Sequence, residues 1–368
     1  MKEALEVAEV VFICVGTPPG DDGGPNLVAV EAVAREVAQH GRDGVVLVAK
    51  STVPAGTAEW VRLTLSRENP VGQFEVASNP EFLREGPALS DSLRPDRILV
   101  GADSEEAFRA MRRVYEPITD QGTPLYETDI LTAELAKHAC NAYLALKISY
   151  VNGLARLCER VGANVVDVAA VMGADPRIGR SFLDAGLGYG GSCLPKDLSA
   201  FRRFAESFDY EFGLLGEVER INDQAIVTAA DKIRAALGNL EGKRVAILGL
   251  AFKPGTDDVR FAPAVALARL LLEAGADVVG YDPQAAANAK EELPEIEVAS
   301  DPYGAASGAH CLVVATEWEE FRSLDVSELR AVMASPVVVD CRNVFSPAVM
   351  KAAGFTYFPT GAPPVTLA

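Results

Sequence analysis

The sequence predicts an α/β protein with a parallel-sheet domain at each end and a long-helix region between them. Short, continuous apolar strands alternate with helical stretches at both ends, a pattern typical of parallel sheets that helices cover on both faces. Apolar residues recur at helical spacing without a proline from about 129 to 161, which predicts one unusually long helix. We expect such a helix to bridge domains or to line a subunit interface.

The first sheet domain is predicted from the opening third of the chain. A helix end, a buried strand, a helix, a second buried strand and a third short strand are predicted at 3–8, 10–15, 28–40, 45–49 and 74–77. A loop rich in glycine, proline and aspartate, 16–25, follows the first strand. Ligands bind at the carboxyl ends of parallel strands, so we expect residues 16–18 and 51–54 to border a ligand site.

The second sheet domain begins after further helical sequence in the middle of the chain. Strands are predicted at 243–249, 277–281, 311–315 and 336–340, with a helix near 263–274. Asp282 stands at the end of the second of these strands. The two sheet domains resemble each other in their pattern of elements and not in their residues.

Composition and charge exclude several classes of protein. The net charge is −18 over 368 residues with no basic stripe, which argues against nucleic-acid binding. No apolar run reaches 18 residues and the acidic N-terminus lacks a signal peptide's apolar core, so we expect neither a membrane span nor secretion. The six cysteines are scattered without CxxC or zinc-finger spacing, so we expect free thiols in a reducing cytoplasm and no metal site.

The segment around Cys193 is the richest candidate site. Four glycines in the eight residues before Cys193 let the backbone approach a ligand closely, and Lys196 and Asp197 follow. A cationic neighbour favours the thiolate, which is the nucleophilic form of a cysteine. A buried structural cysteine beside a glycine-rich turn is the alternative, and this feature alone leaves both open. We interpret the other five cysteines as small core residues of strands and helices.

Two further segments carry candidate polar side chains. Lys137 and Asn141, four residues apart, share a face of the long helix, with a solvated pair as the alternative. Glu81 and Glu85 follow the third strand and could share a helix face, but taken alone this segment favours a charged surface loop. We interpret His138 as a structural residue and not as a base.

Taken together, the motifs are far more specific than any one of them. In chain order they are VGTP at 15–18, STVPAGT at 51–57, NPEFLREG at 79–86, Lys137 with Asn141, GGSCLPKD at 190–197 and LAFK at 250–253. This series closely resembles the UDP-glucose/GDP-mannose dehydrogenase family over nearly the whole chain. The segments 94–101 and 188–197 look most like the UDP-glucose branch, and the GDP-mannose branch is the runner-up.

The resemblance implies a mechanism in which the C6 alcohol of a nucleotide sugar is oxidised twice, with two molecules of NAD. Cys193 matches the family nucleophile, which holds the aldehyde as a thiohemiacetal and then as a thioester that water hydrolyses. Lys137 matches the lysine that stabilises developing oxyanions, and Asn141 would assist it. The residues that match those organising water and proton transfer, with the base left open among them, are Thr52, Glu81 and Asp197.

The resemblance also implies ligand contacts. For NAD these are Val15, Gly16, Thr17, Ser51, Thr52, Glu85, Lys196 and Arg260. For UDP-glucose or a related nucleotide sugar they are Glu81, Phe82, Leu83, Lys137, Asn141, Arg177, Tyr189, Gly190, Phe252, Lys253 and Arg342. Arg177 matches an arginine that reaches substrate across a dimer interface, so a homodimer is implied. No GxGxxG follows Gly249, in keeping with a third domain that holds the sugar nucleotide.

The implied fold has three domains: a truncated Rossmann-like NAD-binding domain (1–124), a central long-helix domain with the catalytic cysteine (125–240) and a C-terminal Rossmann-like α/β domain (241–368). The first is expected to be truncated because family members begin with a strand, GxGxxG and a helix. No GxGxxG occurs before residue 50, and roughly 60 or more residues would be missing at about 30 per βαβ unit. We therefore expect a damaged cofactor site, and a non-catalytic UDP-sugar binder is the alternative.

Overall fold

The chain forms two compact units, which are described here from a computed structural model that covers residues 2–18, 20 and 26–366. The first unit comprises Met1–Ala142 and Lys196–Phe212, and the second comprises Tyr143–Pro195 and Gly213–Ala368. Each unit contains one sheet. Part of the predicted glycine-rich loop, namely residues 19 and 21–25, lies outside the described residues.

A helix lies at each position where the sequence predicts one, and further helices lie between them. In chain order they are α1 Lys2–Leu5, α2 Val28–His40, α3 Thr57–Glu68, α4 Ala88–Leu93, α5 Glu105–Thr119, α6 Ile130–Val161, α7 Val165–Ala174, α8 Leu194–Glu206, α9 Gly213–Leu237, α10 Pro263–Glu273, α11 Ala286–Glu292, α12 Pro302–Ala306, α13 Glu319–Arg322, α14 Val326–Val332 and α15 Pro347–Ala352. The long helix predicted at 129–161 is confirmed by the 32 residues of α6.

The sheet of the first unit has five strands in sequence order. They are β1 Val10–Ile13, β2 Val45–Ala49, β3 Phe74–Ser78, β4 Ile98–Ala102 and β5 Leu125–Thr128. The three predicted strands, β1 to β3, are parallel as expected, whereas β4, which the sequence did not predict, pairs antiparallel with β3 and parallel with β5. An antiparallel pair needs no full crossover, and the connection between β3 and β4 contains only the short helix α4.

Strand β2 lies in the core of the first unit, and all five of its side chains are buried. Val45 and Leu47 belong to an apolar cluster with α2 and α3, and Val46 and Val48 belong to a second cluster with β4 and α5. Alternate side chains of a strand point to opposite faces, so burial of both sets shows that this sheet is covered on both sides. Polar residues therefore begin where the strand ends, at Lys50.

The sheet of the second unit is parallel throughout. Its strands are β6 Arg244–Leu248, β7 Asp277–Tyr281, β8 Glu297–Val298, β9 Cys311–Val314, β10 Val337–Asp340 and β11 Thr356–Pro359, arranged in the order β11-β10-β9-β6-β7-β8. The chain leaves β6 toward β7 and β8 and then returns to the other side of β6 as β9. In such sheets the point where the strand order reverses is where ligands bind, outside the carboxyl ends of the strands.

All six cysteines are free, but they do not share one environment. Cys158, Cys311 and Cys341 are buried as predicted. The interpretation of Cys14 as a core residue is wrong, because β1 ends at Ile13 and Cys14 is exposed beyond it. Cys140 is only half-buried. Burial raises the pKa of Cys341 to about 12, in keeping with a structural thiol.

Candidate functional site

The ends of β1 and β2 are tied together by hydroxyl groups. Ser51 Oγ donates to the carbonyls of Val15 at 2.7 Å and Ile13 at 3.1 Å. Thr17 Oγ1 donates to the carbonyl of Thr52 at 2.9 Å. A Cβ on Gly16 would meet no atom within 4 Å, so the backbone between these two anchors borders open space. The structure thus brings together the four NAD-contact positions that the sequence predicts at the first strand end and at Ser51.

Lys137 is held in the interior of α6 with only 5% of its surface exposed. Its ammonium lies 3.1 Å from Glu81 Oε1 and 5.3 Å from the centre of the Phe82 ring. Arg97 stacks on the same ring, with its guanidinium carbon 3.9 Å from the ring centre. A cation above an aromatic face is attracted to its negative π surface, so Phe82 and Glu81 together stabilise the buried charge of Lys137.

The segment from Asn79 to Arg84 is not helical, and the next helix, α4, begins only at Ala88. The segment is therefore a loop, the interpretation that the sequence favoured, and Glu81 and Glu85 do not share a helix face. Asn79 and Pro80 are buried, and Glu81 accepts a hydrogen bond from the backbone N–H of Leu83.

Asn141 and Asp197 form a second buried pair. Asn141 Nδ2 donates to Asp197 Oδ2 at 2.6 Å, and Lys196 Nζ lies 2.9 Å from Asp197 Oδ1. Both Lys196 and Asp197 stand in the first turn of α8, where the helix dipole favours a negative charge. Lys196 also reaches Thr17 Oγ1 at 3.5 Å. One polar network therefore joins Asn141, one turn of α6 beyond Lys137, to the ends of β1 and β2.

Sequence reasoning missed a buried polar cluster beside this network. Lys50 Nζ donates to Asn79 Oδ1 at 3.0 Å and to Tyr115 Oη at 3.1 Å. Burial lowers the pKa of Lys50 to about 8 and raises the pKa of Tyr115 to about 12. Two signals could have indicated it, because Lys50 directly precedes the Ser51–Thr52 motif and Asn79 opens the loop of Glu81. Tyr115, on α5, carried no such signal.

Two more side chains of α6 point into the first unit. Glu134 accepts from the backbone N–H groups of Gly56 at 2.6 Å and Ala58 at 2.9 Å, at the start of α3. Burial raises the pKa of Glu134 to about 7. A ring nitrogen of His138 lies 2.8 Å from the carbonyl of Val53, and burial lowers the pKa of this buried imidazole. That environment fits the interpretation of His138 as a structural residue.

Cys193 lies in the second unit, immediately before the first residue of α8, and its side chain is exposed. The alternative of a buried structural cysteine is therefore wrong. The glycines before it pack tightly. A Cβ on Gly190 would lie 2.3 Å from the carbonyl oxygen of Phe261, and a Cβ on Gly191, whose φ is +79°, would lie 2.8 Å from the Phe252 ring. The Gly191 N–H donates to the carbonyl of Arg260.

Three predicted arginine contacts are paired with carboxylates within the second unit. Arg342 Nε lies 3.0 Å from Glu317 Oε2, and Arg260 makes a two-point contact with Asp258. Arg177 is largely exposed and pairs with Asp175, its neighbour but one. The remaining predicted contacts of this unit are Tyr189, whose backbone N–H donates to Asn222, and Lys253, whose ammonium lies over the Phe252 ring.

Comparison with known proteins finds related sequences along almost the whole chain. Three family models match it, described as the NAD binding domain (residues 1–119), the central domain (131–224) and the UDP binding domain (246–347) of the UDP-glucose/GDP-mannose dehydrogenase family. This chain belongs to the UDP-glucose/GDP-mannose dehydrogenase family. The predicted α/β fold is confirmed, with an N-terminal NAD-binding domain, a central helical domain and a C-terminal UDP-binding domain. The match to the NAD-binding domain also supports NAD as the cofactor.

Individual relatives agree with the family models. UDP-glucose 6-dehydrogenase from Rhizobium meliloti is 45% identical over 367 residues, covering 99% of this chain and 84% of that protein. The enzyme of the same name from Pseudomonas aeruginosa is 42% identical over 374 residues, covering 99% and 83%. A solved UDP-glucose dehydrogenase from Pyrobaculum islandicum has a TM-score of 0.90 and 41% identity, covering 98% of this chain and 82% of that one. The expectation of a missing cofactor-phosphate segment stays a prediction.

The sequence predicts no membrane-spanning segment. Within residues 2–18, 20 and 26–366, no helix combines the length and the apolar character needed to cross a bilayer.

Proposed function

We propose that this chain oxidises UDP-glucose at C6 to UDP-glucuronate in two NAD-dependent steps. The observation that carries the proposal is the buried network of the first unit, in which Lys137 is paired with Glu81 and Asn141 with Asp197. Buried charges are costly unless they are paired, and they concentrate at functional sites. The network lies at strand ends of a domain that the family's NAD-binding model matches, and relatives at 42–45% identity are UDP-glucose 6-dehydrogenases.

The proposed nucleophile is the Cys193 thiol. NAD, when bound, would supply the hydride acceptor for each oxidation at C6, with one molecule of NAD for each of the two hydrides. After the first transfer, the sulfur of Cys193 adds to the aldehyde carbon and forms a thiohemiacetal. Loss of the second hydride converts this to a thioester, and water cleaves the carbon–sulfur bond to release the carboxylate and the thiol. The exposure of the thiol supports this role.

Lys137 and Asn141 are proposed to stabilise the oxyanions that develop at C6. An ammonium and an amide donor held in place by buried partners need no reorganisation when charge develops, which makes such stabilisation effective. The proton acceptor is one of three groups that meet this network, Thr52, Glu81 or Asp197. Glu81 lies in contact with the ammonium of Lys137, and Asp197 with that of Lys196.

Ligand contacts are proposed at the positions that resemble the family's. NAD fits the ends of β1 and β2, where the open space beside Gly16 lets a ligand approach the backbone. The proposed NAD contacts are Val15, Gly16, Thr17, Ser51, Thr52, Glu85, Lys196 and Arg260. The proposed UDP-glucose contacts are Glu81, Phe82, Leu83, Lys137, Asn141, Arg177, Tyr189, Gly190, Phe252, Lys253 and Arg342. The proposed domain boundaries are 1–124, 125–240 and 241–368.

A homodimer in the cytoplasm is proposed as the working form. Three large side chains on α6 are exposed at intervals of seven residues: Tyr143 (59%), Tyr150 (53%) and Leu157 (54%). A stripe with this spacing along one helix is suited to packing against another helix. Free cysteines support a reducing compartment.

The activity is tested by counting NADH. The purified chain, given enough NAD to offset the weaker binding expected of a damaged cofactor site, should form two NADH for each UDP-glucose consumed and release UDP-glucuronate, whereas Cys193→Ala should release none. Cys14→Ser, a change at an exposed cysteine outside the proposed machinery, is the matched control. UDP-glucose binding by calorimetry without any NADH would instead support the non-catalytic UDP-sugar binder, and turnover of GDP-mannose but not UDP-glucose would support the other branch. Normal UDP-glucuronate formation by Cys193→Ala would remove this cysteine from the mechanism.

A further inference from the structure

The second sheet contains a carboxylate at a position that usually binds a ribose. In dinucleotide-binding sheets, an acid at the end of the second strand of the first crossover accepts hydrogen bonds from ribose hydroxyls. Asp282 occupies this position, directly after β7, which follows β6 through a crossover containing α10. It is only 3% exposed. The hydrogen bonds that its carboxylate already accepts determine whether Asp282 can also bind a ribose.

Five protein donors saturate this carboxylate. Oδ2 accepts from the backbone N–H of Leu250 at 2.7 Å, from that of Ala251 at 3.0 Å and from Trp318 Nε1 at 3.0 Å. Oδ1 accepts from the backbone N–H groups of Gln284 at 2.9 Å and Ala285 at 2.8 Å. A carboxylate offers about four lone-pair sites, so no acceptor capacity is left for a ribose.

The loop held by Asp282 is also fixed from its other side. Thr316 Oγ1 donates to the carbonyl of Ala251 at 2.7 Å. Gly249 has a φ of +90°, and a Cβ there would lie 2.4 Å from Thr316 Cβ. The backbone at Leu250 and Ala251 is therefore fixed through both its N–H groups and a carbonyl. The next two residues are Phe252 and Lys253.

Thr316 and Trp318 both follow β9, the strand beside β6 at the point where the strand order reverses. Glu317, between them, pairs with Arg342. Three consecutive residues after one strand thus hold the loop of Phe252 and Lys253, the Asp282 carboxylate and the Arg342 guanidinium. None of the three was singled out from the sequence.

We propose that Asp282 is a positioning residue for the nucleotide site of the second unit. With Trp318 and Thr316 it holds the 249–253 loop in the conformation that receives the UDP group of the substrate. Because its carboxylate is already fully hydrogen-bonded, Asp282 cannot accept hydrogen bonds from the ribose of a dinucleotide. This sheet therefore binds UDP at the 249–253 loop and does not bind NAD at the end of β7. The inference rests on the proposed function, since it assumes a UDP-sugar substrate.

The main test is Asp282→Asn in the full chain. The amide is the same size, but its NH₂ group then faces backbone N–H donors, and the loop loses its anchor. We expect the Kd for UDP, measured by calorimetry, to rise at least tenfold, or about 1.4 kcal/mol. The KM for UDP-glucose should rise in parallel, whereas kcat and the KM for NAD should stay near the wild-type values, because only uniform substrate binding is lost. Tyr281→Phe, which removes a hydroxyl contact to Glu320 next to Asp282, should change neither affinity.

Trp318→Phe is the second variant, because it removes one of the five donors and leaves an aromatic side chain in place. It should weaken UDP binding several-fold, and it decides the question if Asp282→Asn fails to fold. Unchanged UDP affinity in a folded Asp282→Asn or in Trp318→Phe would overturn the proposal, as would equal losses of UDP and NAD affinity. Because UDP binding is measured directly, a wild-type chain that binds UDP but never oxidises UDP-glucose would refute the proposed activity and leave the role of Asp282 standing.

Discussion

At the scale of residues, the buried Lys137 and the half-buried Lys50 of the first unit differ in their partners. Lys137 lies beside the Glu81 carboxylate, so its charge is directly paired. Lys50 donates to two neutral groups, Asn79 and Tyr115. Removing an ammonium from water disfavours its charged form, and burial lowers the pKa of Lys50 to about 8, although the nearby Glu81 charge opposes this in part. Lys50 is thus a group whose protonation changes within a measurable range of pH.

Lys50→Met should remove a pH-dependent part of the protein's stability. Between about pH 8 and the ordinary lysine pKa of 10.5, Lys50 carries fewer protons in the folded chain than in the unfolded one. Its contribution to the free energy of unfolding therefore rises with pH across that window. We expect the wild-type value minus the Lys50→Met value, measured by urea unfolding, to increase by about 1 kcal/mol per pH unit from pH 8 to 10. The exposed Lys351→Met is the control, and a flat difference for Lys50→Met would contradict the expectation.

Lys137→Met should slow catalysis and leave the binding of NAD nearly unchanged. Loss of a preorganised oxyanion donor typically lowers kcat by about 100-fold or more. We expect a fall of this size in steady-state NADH formation, with the KM for NAD within about threefold of the wild-type value. Lys351→Met serves again as the control. A kcat close to that of the wild type would exclude Lys137 from oxyanion stabilisation.

At the scale of elements, the first half of α6 is unusual because four of its buried side chains are polar. Glu134, Lys137, His138 and Asn141 recur at helical spacing and are all buried. Each has a hydrogen-bond or ion-pair partner on another element, respectively at the start of α3, in the Glu81 loop, at Val53 and in α8. The helix therefore positions the loops around it through polar contacts where an ordinary helix would use apolar packing.

Glu134→Ala should destabilise the start of α3. The substitution leaves the backbone N–H groups of Gly56 and Ala58 without their acceptor, which costs about 1–3 kcal/mol for a buried donor. The midpoint of denaturant unfolding should fall accordingly. Glu59→Ala, at an exposed ion pair in the same helix, should cost less than about 1 kcal/mol. Equal effects of the two substitutions would show that Glu134 does not anchor α3.

At the scale of the whole molecule, α6 and α8 each continue from one unit into the other. Within α6, Ala142 is the last residue of the first unit, and the exposed stripe of Tyr143, Tyr150 and Leu157 begins one residue later. The same helix therefore provides buried polar residues before this point and an exposed apolar stripe after it. An exposed apolar stripe costs free energy in water unless another surface covers it, which is the physical ground for expecting a dimer.

Tyr150→Glu should convert the dimer to a monomer. A carboxylate in the centre of the stripe would have to be buried without a partner in the assembled form. We expect light scattering at micromolar protein to give twice the chain mass for the wild type and the single chain mass for Tyr150→Glu. Val71→Glu, at an exposed valine outside the stripe, should remain dimeric. A monomeric wild type would refute the dimer.

The sequence by itself determined several elements and the family of the chain. Strand β2 and helix α2 begin and end at the predicted residues, because continuous apolar runs and helical spacing are local properties of the chain. The order of the motifs was enough to indicate the family. The shared face of Lys137 and Asn141 also followed from spacing alone, since residues four apart on a helix are neighbours.

Only the tertiary structure decided the direction of the strands, the burial of side chains and the pairing of polar groups. Strand β4 runs antiparallel to β3 and Cys14 is exposed, and neither fact is readable from a local pattern. The Lys50 cluster and the Asp282 anchor join residues 29 to 65 positions apart. Which polar groups are removed from water depends on which distant segments pack over them, so the partners of these buried charges exist only once the chain has folded.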